Sequence, residues 1–263
     1  MSRKEDAALN GNTTEFISPS KLNITIREQN GEDEDVISKT GNVVSGDSIH
    51  FFLAGIIMTI NGEKISTDDV VKMKNRDKYH TLLKSRILSL GSELTYRHRC
   101  SNSSCTKPQG TEDPMYEEDL TLYDKDFKEG AEDKRDTFKY RIEAYVEAGT
   151  HKELTLSTGK ELKWKFLTGV EEKKSLAMDR NKMSKNSDIM LRGLEWKNDA
   201  GIWQKVTNFK IFTSKEMSEI RKDIAENDLP FEAISECTCP FCGTVDYISL
   251  LAQPDFFFPG ESL

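Results

Sequence analysis

The sequence predicts an α+β fold in which short helices and β-hairpins close around a site assembled from two distant cysteine pairs. Three observations lead there. Cysteines stand at 100 and 105 and again at 239 and 242, most of the chain apart. Short stretches of apolar–polar alternation, the mark of half-buried strands, recur along the chain. Between them lie apolar residues at helical spacing, with capping residues at the starts and glycine at one end.

Taken in order, residues 1–20 read as a polar tail. Leu22, Ile24 and Ile26 alternate with polar neighbours and predict a short strand over 22–27. The acidic stretch 29–35 reads as a solvated loop. Residues 50–60 form an apolar run that periodicity leaves open between a buried strand and a short helix. Ser66-Thr-Asp-Asp69 opens a helix with acids in its first turn. Tyr79, Leu82, Leu83, Ile87 and Leu90 then fall on one face of an amphipathic helix that Gly91 caps. A strand over 93–99 delivers Cys100 and Cys105. Leu120 and Leu122 mark another short strand, and 128–136 reads as a charged loop.

In the second half, Leu154 and Leu156, then Leu162, Trp164 and Phe166, alternate about Thr158-Gly159 and predict a hairpin. Thr168-Gly-Val-Glu171 and Thr213-Ser-Lys-Glu216 are capping boxes, in which hydroxyl and carboxylate satisfy the free amides of a helix start. The first opens a helix running to about residue 179. The second opens one that carries Met217, Ile220 and Ile224 on one face and ends near Asn227, ahead of Pro230. A short helix over 189–194 lies between them, and Asp199-Ala-Gly201 forms a turn between Trp196 and Trp203. Residues 245–251 form the last strand. Phe256, Phe257 and Phe258 either pack into the core of the domain or dock on a partner.

The cysteines carry the strongest chemical signal. Cys100-Ser-Asn-Ser-Ser-Cys105 and Cys239-Pro-Phe-Cys242-Gly243 each have the spacing of half a structural zinc site, which takes four thiolate or imidazole ligands in a closed tetrahedron. Pro240 fixes one φ angle of the second turn. Gly243 is free to take positive φ just past the last ligand, which turns local amides toward the sulfurs. One Zn2+ per chain, shared by Cys100, Cys105, Cys239 and Cys242, requires residues 105 and 239 to meet in a zinc-ribbon-like site. Four thiolates leave no open position for water or substrate, so the metal is structural. Arg97, His98, Arg99 and Lys107 flank the first pair and could offset its charge. Other readings stay open. The first pair could be ordinary thiols without a metal. A redox CxxC would need a βαβ context. Cys237 is a bystander or a substitute ligand in a slipped register, and His98 could stand in for Cys100.

Composition narrows the function. The net charge of -8, with no dense Lys/Arg run, argues against binding nucleic acid by phosphate neutralisation. No apolar stretch approaches the roughly 20 residues that span a membrane, and the N-terminus lacks the apolar region of a signal peptide. The odd cysteine count fits metal-bound thiolates in a reducing compartment. His50, His80 and His151 are scattered, and no HExxH, GxSxG, Walker A or GxGxxG motif is present. Asp68/Asp69 and Glu171/Glu172 are paired carboxylates that helix-dipole placement explains. The expectation is a protein that is not an enzyme and has no small-molecule substrate. It divides into a polar, partly disordered segment 1–48 and a single α+β domain 49–263.

The ordered features are the helix from Asn75-Arg76-Asp77 to Leu90-Gly91, the Cys100/Cys105 pair, the hairpin ending in the run from Phe166 through Glu171-Glu172, Cys239-Pro-Phe-Cys242-Gly243, and Asp255-Phe-Phe-Phe-Pro259. In that order they resemble the baseplate hub proteins and hub-assembly chaperones of T4-type phages and related contractile injection systems, over residues 50–259. The resemblance implies a non-enzymatic assembly chaperone or structural component of the central baseplate hub. It would act in the cytoplasm of the producing bacterial host or in the virion baseplate. Its partners would be other hub and tail proteins, with Phe256, Phe257 and Phe258 as the docking element. The chain departs from the pattern at its N-terminus, where only Pro19-Ser-Lys21 remains, in the long charged segment 107–149, and in the extra Cys237. A zinc-ribbon adaptor in transcription or translation is the alternative.

Overall fold

The computed structural model describes residues 11–39, 48–124, 151–176, 186–228, 231 and 233–258, and these form an α+β fold of four small antiparallel sheets joined by short helices. The first sheet has the order β1 (Thr13–Ile17), β2 (Asn23–Arg27), β3 (Ile57–Ile60), β4 (Glu63–Lys64). Phe16, Ile24 and Ile26 point to one side, where they pack on Phe52, Leu53 and Ile56. The division at residue 48 therefore runs through one sheet and one core, because strands from both sides of it pair.

The acidic stretch expected as a loop is instead the start of helix α1 (Gly31–Ser38). The Asn30 side chain accepts from the amides of Glu32 and Asp33, and the Asp33 carboxylate returns to the Asn30 amide. Acids at the positive end of a helix are stabilised there, so charge that looks solvated is absorbed by a cap. Asp33 turns inward and grips Arg27 with two bonds of 2.8 and 3.0 Å, both side chains fully buried. The ambiguous run 50–60 is both of its alternatives in succession, helix α2 (Ser48–Ile56) and then β3.

Ser66 caps helix α3 (Thr67–Lys72), with Asp69 completing the reciprocal pair. Helix α4 (Asn75–Leu90) ends at Gly91, whose φ of 84° favours glycine. The apolar face expected of α4 packs into two cores, Tyr79 and Leu82 in one and Leu83 and Ile87 in the other, but the opposite face is buried as well. Arg76, Asp77, Lys78, His80, Thr81, Ser85 and Arg86 are buried along with Leu82 and Leu83. Burying such groups is tolerable only when they are paired. Asp77 receives the Ser20 amide at 2.9 Å, and Arg86 donates to the carbonyls of Gly91 and Glu93 at 2.7 and 3.1 Å. Leu82 belongs to the core of the first sheet and Leu83 to the core between the cysteine hairpins, so α4 stands between them.

The second sheet has the order β10-β9-β8-β7. The expected hairpin is β7 (His151–Thr155) and β8 (Glu161–Lys165), and the flanking tryptophans lie in β9 (Glu195–Lys197) and β10 (Trp203–Lys205). Leu162, Trp164 and Phe166 face helix α7 (Ser214–Asn227), which answers with Met217, Ile220 and Ile224. The Trp164 indole also donates to Asp223 at 2.8 Å. Both capping boxes place their carboxylates as expected. Thr213 donates its amide to Glu216 at 2.7 Å, and Thr168 donates to Glu171 at 3.2 Å at the start of helix α5 (Gly169–Leu176). Helix α6 (Ser187–Leu191) follows. The expected continuation of α5 past 176, the loop 128–136, Pro230 and Pro259 lie outside the described residues.

Candidate metal centre

Two hairpins carry the cysteines. β5 (Glu93–Arg97) pairs with β6 (Met115–Asp119), and β11 (Ile234–Thr238) pairs with β12 (Val245–Ser249). The strand expected at Leu120 and Leu122 is a 3-10 turn just past β6, with Leu120 buried and Leu122 exposed. Alternation along β5 turns Leu94 and Tyr96 inward, and alternation along β11 turns Cys237 inward. Leu83, Leu120, Ala233, Leu250 and Phe256 complete this core. The Tyr96 hydroxyl lies 2.9 Å from the Cys237 sulfur. Cys237 is thus a core residue opposite Asp246 in a regular ladder, and the register leaves it no ligand role.

The four remaining cysteines sit in the loops at the hairpin ends, and their sulfurs all lie within 4.8 Å of one another. Cys100 and Cys242 are 3.6 Å apart, and Cys105 and Cys239 are 3.7 Å apart. A tetrahedron of thiolates about 2.3 Å from a zinc-sized ion has edges of about 3.8 Å, whereas a disulfide bond is about 2.05 Å. The cysteines are free thiols at metal-ligand spacing. Residues 105 and 239 meet, as a shared site requires.

Backbone donors converge on the same sulfurs. The Asn102 amide points to Cys100 at 3.4 Å, and the amides of Lys107 and Thr244 serve Cys105 and Cys242. Each is the residue two positions past its cysteine, and N–H groups aimed at sulfur favour thiolate over thiol. Gly243 takes φ 71°, and its amide closes the turn on the Cys239 carbonyl at 2.9 Å. The Thr244 hydroxyl and amide hold the Cys242 thiol down at about 6. At Cys100 the Asn102 amide pulls the same way, but desolvation and the neighbouring thiols outweigh it and push the group up to about 12. Four sulfurs this close resist ionising together without a cation among them.

Two of the flanking cations are held by carboxylates of their own hairpin. Arg97 pairs with Glu112 at 2.6 Å and Lys107 pairs with Asp113. His98 does not replace Cys100, because its Nε2 faces Asp246 at 2.9 Å. The His98–Asp246 contact belongs to a second tie between the hairpins. Asp246 of β12 accepts the Ser101 amide at 3.0 Å, the Ser101 hydroxyl and His98. The Ser101 donors and then His98 hold its carboxyl at about 2. Thr106 donates to the Phe241 carbonyl at 2.6 Å, and Asn102 reaches Thr244 at 3.1 Å. A closed four-sulfur set would leave a bound ion no vacant position, the arrangement typical of structural sites.

Of the three aromatics expected as a docking element, Phe256 is placed differently. Phe256 is fully buried in the core between the hairpins. Phe257 stacks edge-on against it at 5.0 Å and also reaches Phe52 at 6.0 Å, so it touches two cores. Phe258 is half-buried beside Phe257. Self-packing is the outcome for Phe256, and it is not available to a partner.

One polar cluster had no signal in the sequence. Lys78 and His50 are buried, Glu172 lies 94 positions from Lys78, and no motif links them. Lys78 Nζ lies 2.5 Å from Glu172 and 3.1 Å from His50, and Tyr79 also donates to Glu172. Burial pulls the Lys78 ammonium down from its ordinary range against the Glu172 charge. Gly169 fits here because a Cβ would stand 2.2 Å from the His50 ring. Of the carboxylate pair at 171 and 172, Glu171 caps α5, and Glu172 joins this cluster.

Comparison with protein-family models, with curated proteins and with solved structures found no match. Among the described residues, no helix is long and apolar enough to cross a membrane.

Proposed function

We propose that the chain is a non-enzymatic assembly or structural protein whose cysteine hairpins are clamped by one structural Zn2+ held by Cys100, Cys105, Cys239 and Cys242. The observation that carries this reading is the convergence of four sulfurs from loops separated by 134 and 142 residues. Thiolate ligands and a tetrahedral edge length favour zinc among abundant divalent ions. The ordered motifs from Asn75 to Phe258 support a place in the central baseplate hub of a contractile tail, with hub and tail proteins as partners in the producing bacterial cell. Two hairpins with ligands in their loops also fit the alternative, a zinc-ribbon adaptor in transcription or translation.

Metal analysis of reduced, purified protein should give one zinc per chain, and Cys242→Ser should lose both the zinc and thermal stability. A protein that is metal-free and equally stable overturns the clamp. Capture from a producing lysate should bring down hub and tail proteins. A salt-dependent gel shift with nucleic acid, and no tail proteins, would favour the adaptor.

A further inference from the structure

Four cysteines can form two disulfides in three ways. One way joins each loop to itself, Cys100 to Cys105 and Cys239 to Cys242. The other two join loop to loop. All four sulfurs lie within 4.8 Å of one another, and the two pairs in aligned contact, Cys100–Cys242 at 3.6 Å and Cys105–Cys239 at 3.7 Å, both cross between the hairpins and together use all four residues. Cys100, Cys105 and Cys242 are half-buried and open to a small oxidant, whereas Cys239 is buried. Cys237 is buried apart from them against Tyr96.

The geometry points to an oxidation site with a fixed outcome: peroxide converts the metal clamp into a covalent one, with disulfides Cys100–Cys242 and Cys105–Cys239. This rests on the four-sulfur site proposed above. In each pair, one thiolate attacks a peroxide oxygen, breaking the O–O bond and becoming a sulfenic acid, while the departing hydroxide takes up a proton as water. The partner thiolate attacks that sulfur, forms the S–S bond and expels a second hydroxide, again protonated to water. Each pair gives two electrons to one peroxide, and the divalent ion, having lost its ligands, is released. Cys105 meets the oxidant and buried Cys239 resolves it. The hairpins remain tied at the same points, so the fold outlasts the loss of the metal.

The test uses full-length reduced protein, first analysed for metal. Hydrogen peroxide is then added with a chromophoric zinc chelator present, and non-reducing peptide mapping follows. Zinc release is expected together with peptides linking 100 to 242 and 105 to 239, and Cys237 unmodified. The oxidised protein should melt near the zinc-loaded form and above reduced protein treated with chelator alone. Cys105→Ser should yield only the 100–242 link. A dominant Cys239–Cys242 or Cys100–Cys105 link, the other crossed pairing of Cys100–Cys239 with Cys105–Cys242, or conversion to sulfinic acid overturns the proposal. Reduced protein without metal would overturn the zinc reading by itself, and the peptide map of that protein would still decide the pairing.

Discussion

The sheet β7–β10 with α7 and the two cysteine hairpins reach stability by different means. The sheet has four strands and a large apolar interior in which Trp164, Phe166, Leu162 and Phe212 meet Met217, Ile220 and Ile224. Its helix is fixed at the start by a complete capping box. Each cysteine hairpin has only two strands, which alone is marginal in water. Their shared core includes a tyrosine hydroxyl against a thiol. What they have in addition lies in the loops: the sulfur cluster and the Asp246 tie. Where each sheet is only two strands wide and the segments are far apart in sequence, directional cross-links add to burial.

This contrast can be broken from either side. The largest effect is expected for Trp164→Ala. Removing a fully buried indole costs about 3–5 kcal/mol and takes the donor from Asp223 Oδ2, leaving Asn227 on Oδ1. Denaturant unfolding should show that loss while metal content per folded chain stays the same. A parallel loss of metal would mean that the two regions are not separable.

A smaller effect is expected for Asp246→Asn. Groups that orient a metal's ligands typically contribute about 10–100-fold in affinity, and Asp246 holds the Ser101 backbone beside Cys100. Competition with a chelator should show that weakening. An unchanged affinity would show that the sulfurs position themselves.

The smallest effect is expected for Glu216→Gln, with a melting point lower by about 2–4 °C at neutral pH. The Thr213 amide first, then Thr158 and Lys160, draw the Glu216 carboxyl from 4.5 to about 2. A carboxyl depressed on folding contributes stability that is full above 4.5 and fades as pH falls toward 2. The variant should therefore approach the parent protein as pH falls through that window. A constant difference would assign the effect to packing.

How much was legible follows the range of the interactions involved. Cys239-Pro-Phe-Cys242-Gly243 carries its own turn chemistry, and Thr213-Ser-Lys-Glu216 its own cap, so both could be read locally. The hairpin about Gly159 was equally plain. Residues 31–38 were misread because acids that cap a helix have the composition of a loop, and the partner of Asp33 is Arg27, outside the motif. The polar side of α4 looked solvated because its partners, such as Glu172 for Lys78, come from distant segments. Strand β11 was missed because its Ser235 and Cys237 run straight into the metal turn. The Phe256 side chain could be assigned to core or surface only once the two hairpins were seen to enclose it.

The separation between the two cysteine pairs also sets an order in time. Cys105 and Cys239 are 134 residues apart. A ribosome adding about 5–20 residues each second needs about 7–27 s to go from one to the other. During that interval Cys100 and Cys105 have no second pair to join, while β7–β10 and all of α7 are being made. The four sulfurs can therefore meet only late in the life of a nascent chain, over a sheet already synthesised. If the proposed zinc fills the site, a cell short of zinc would accumulate chains in which this joint alone is left open.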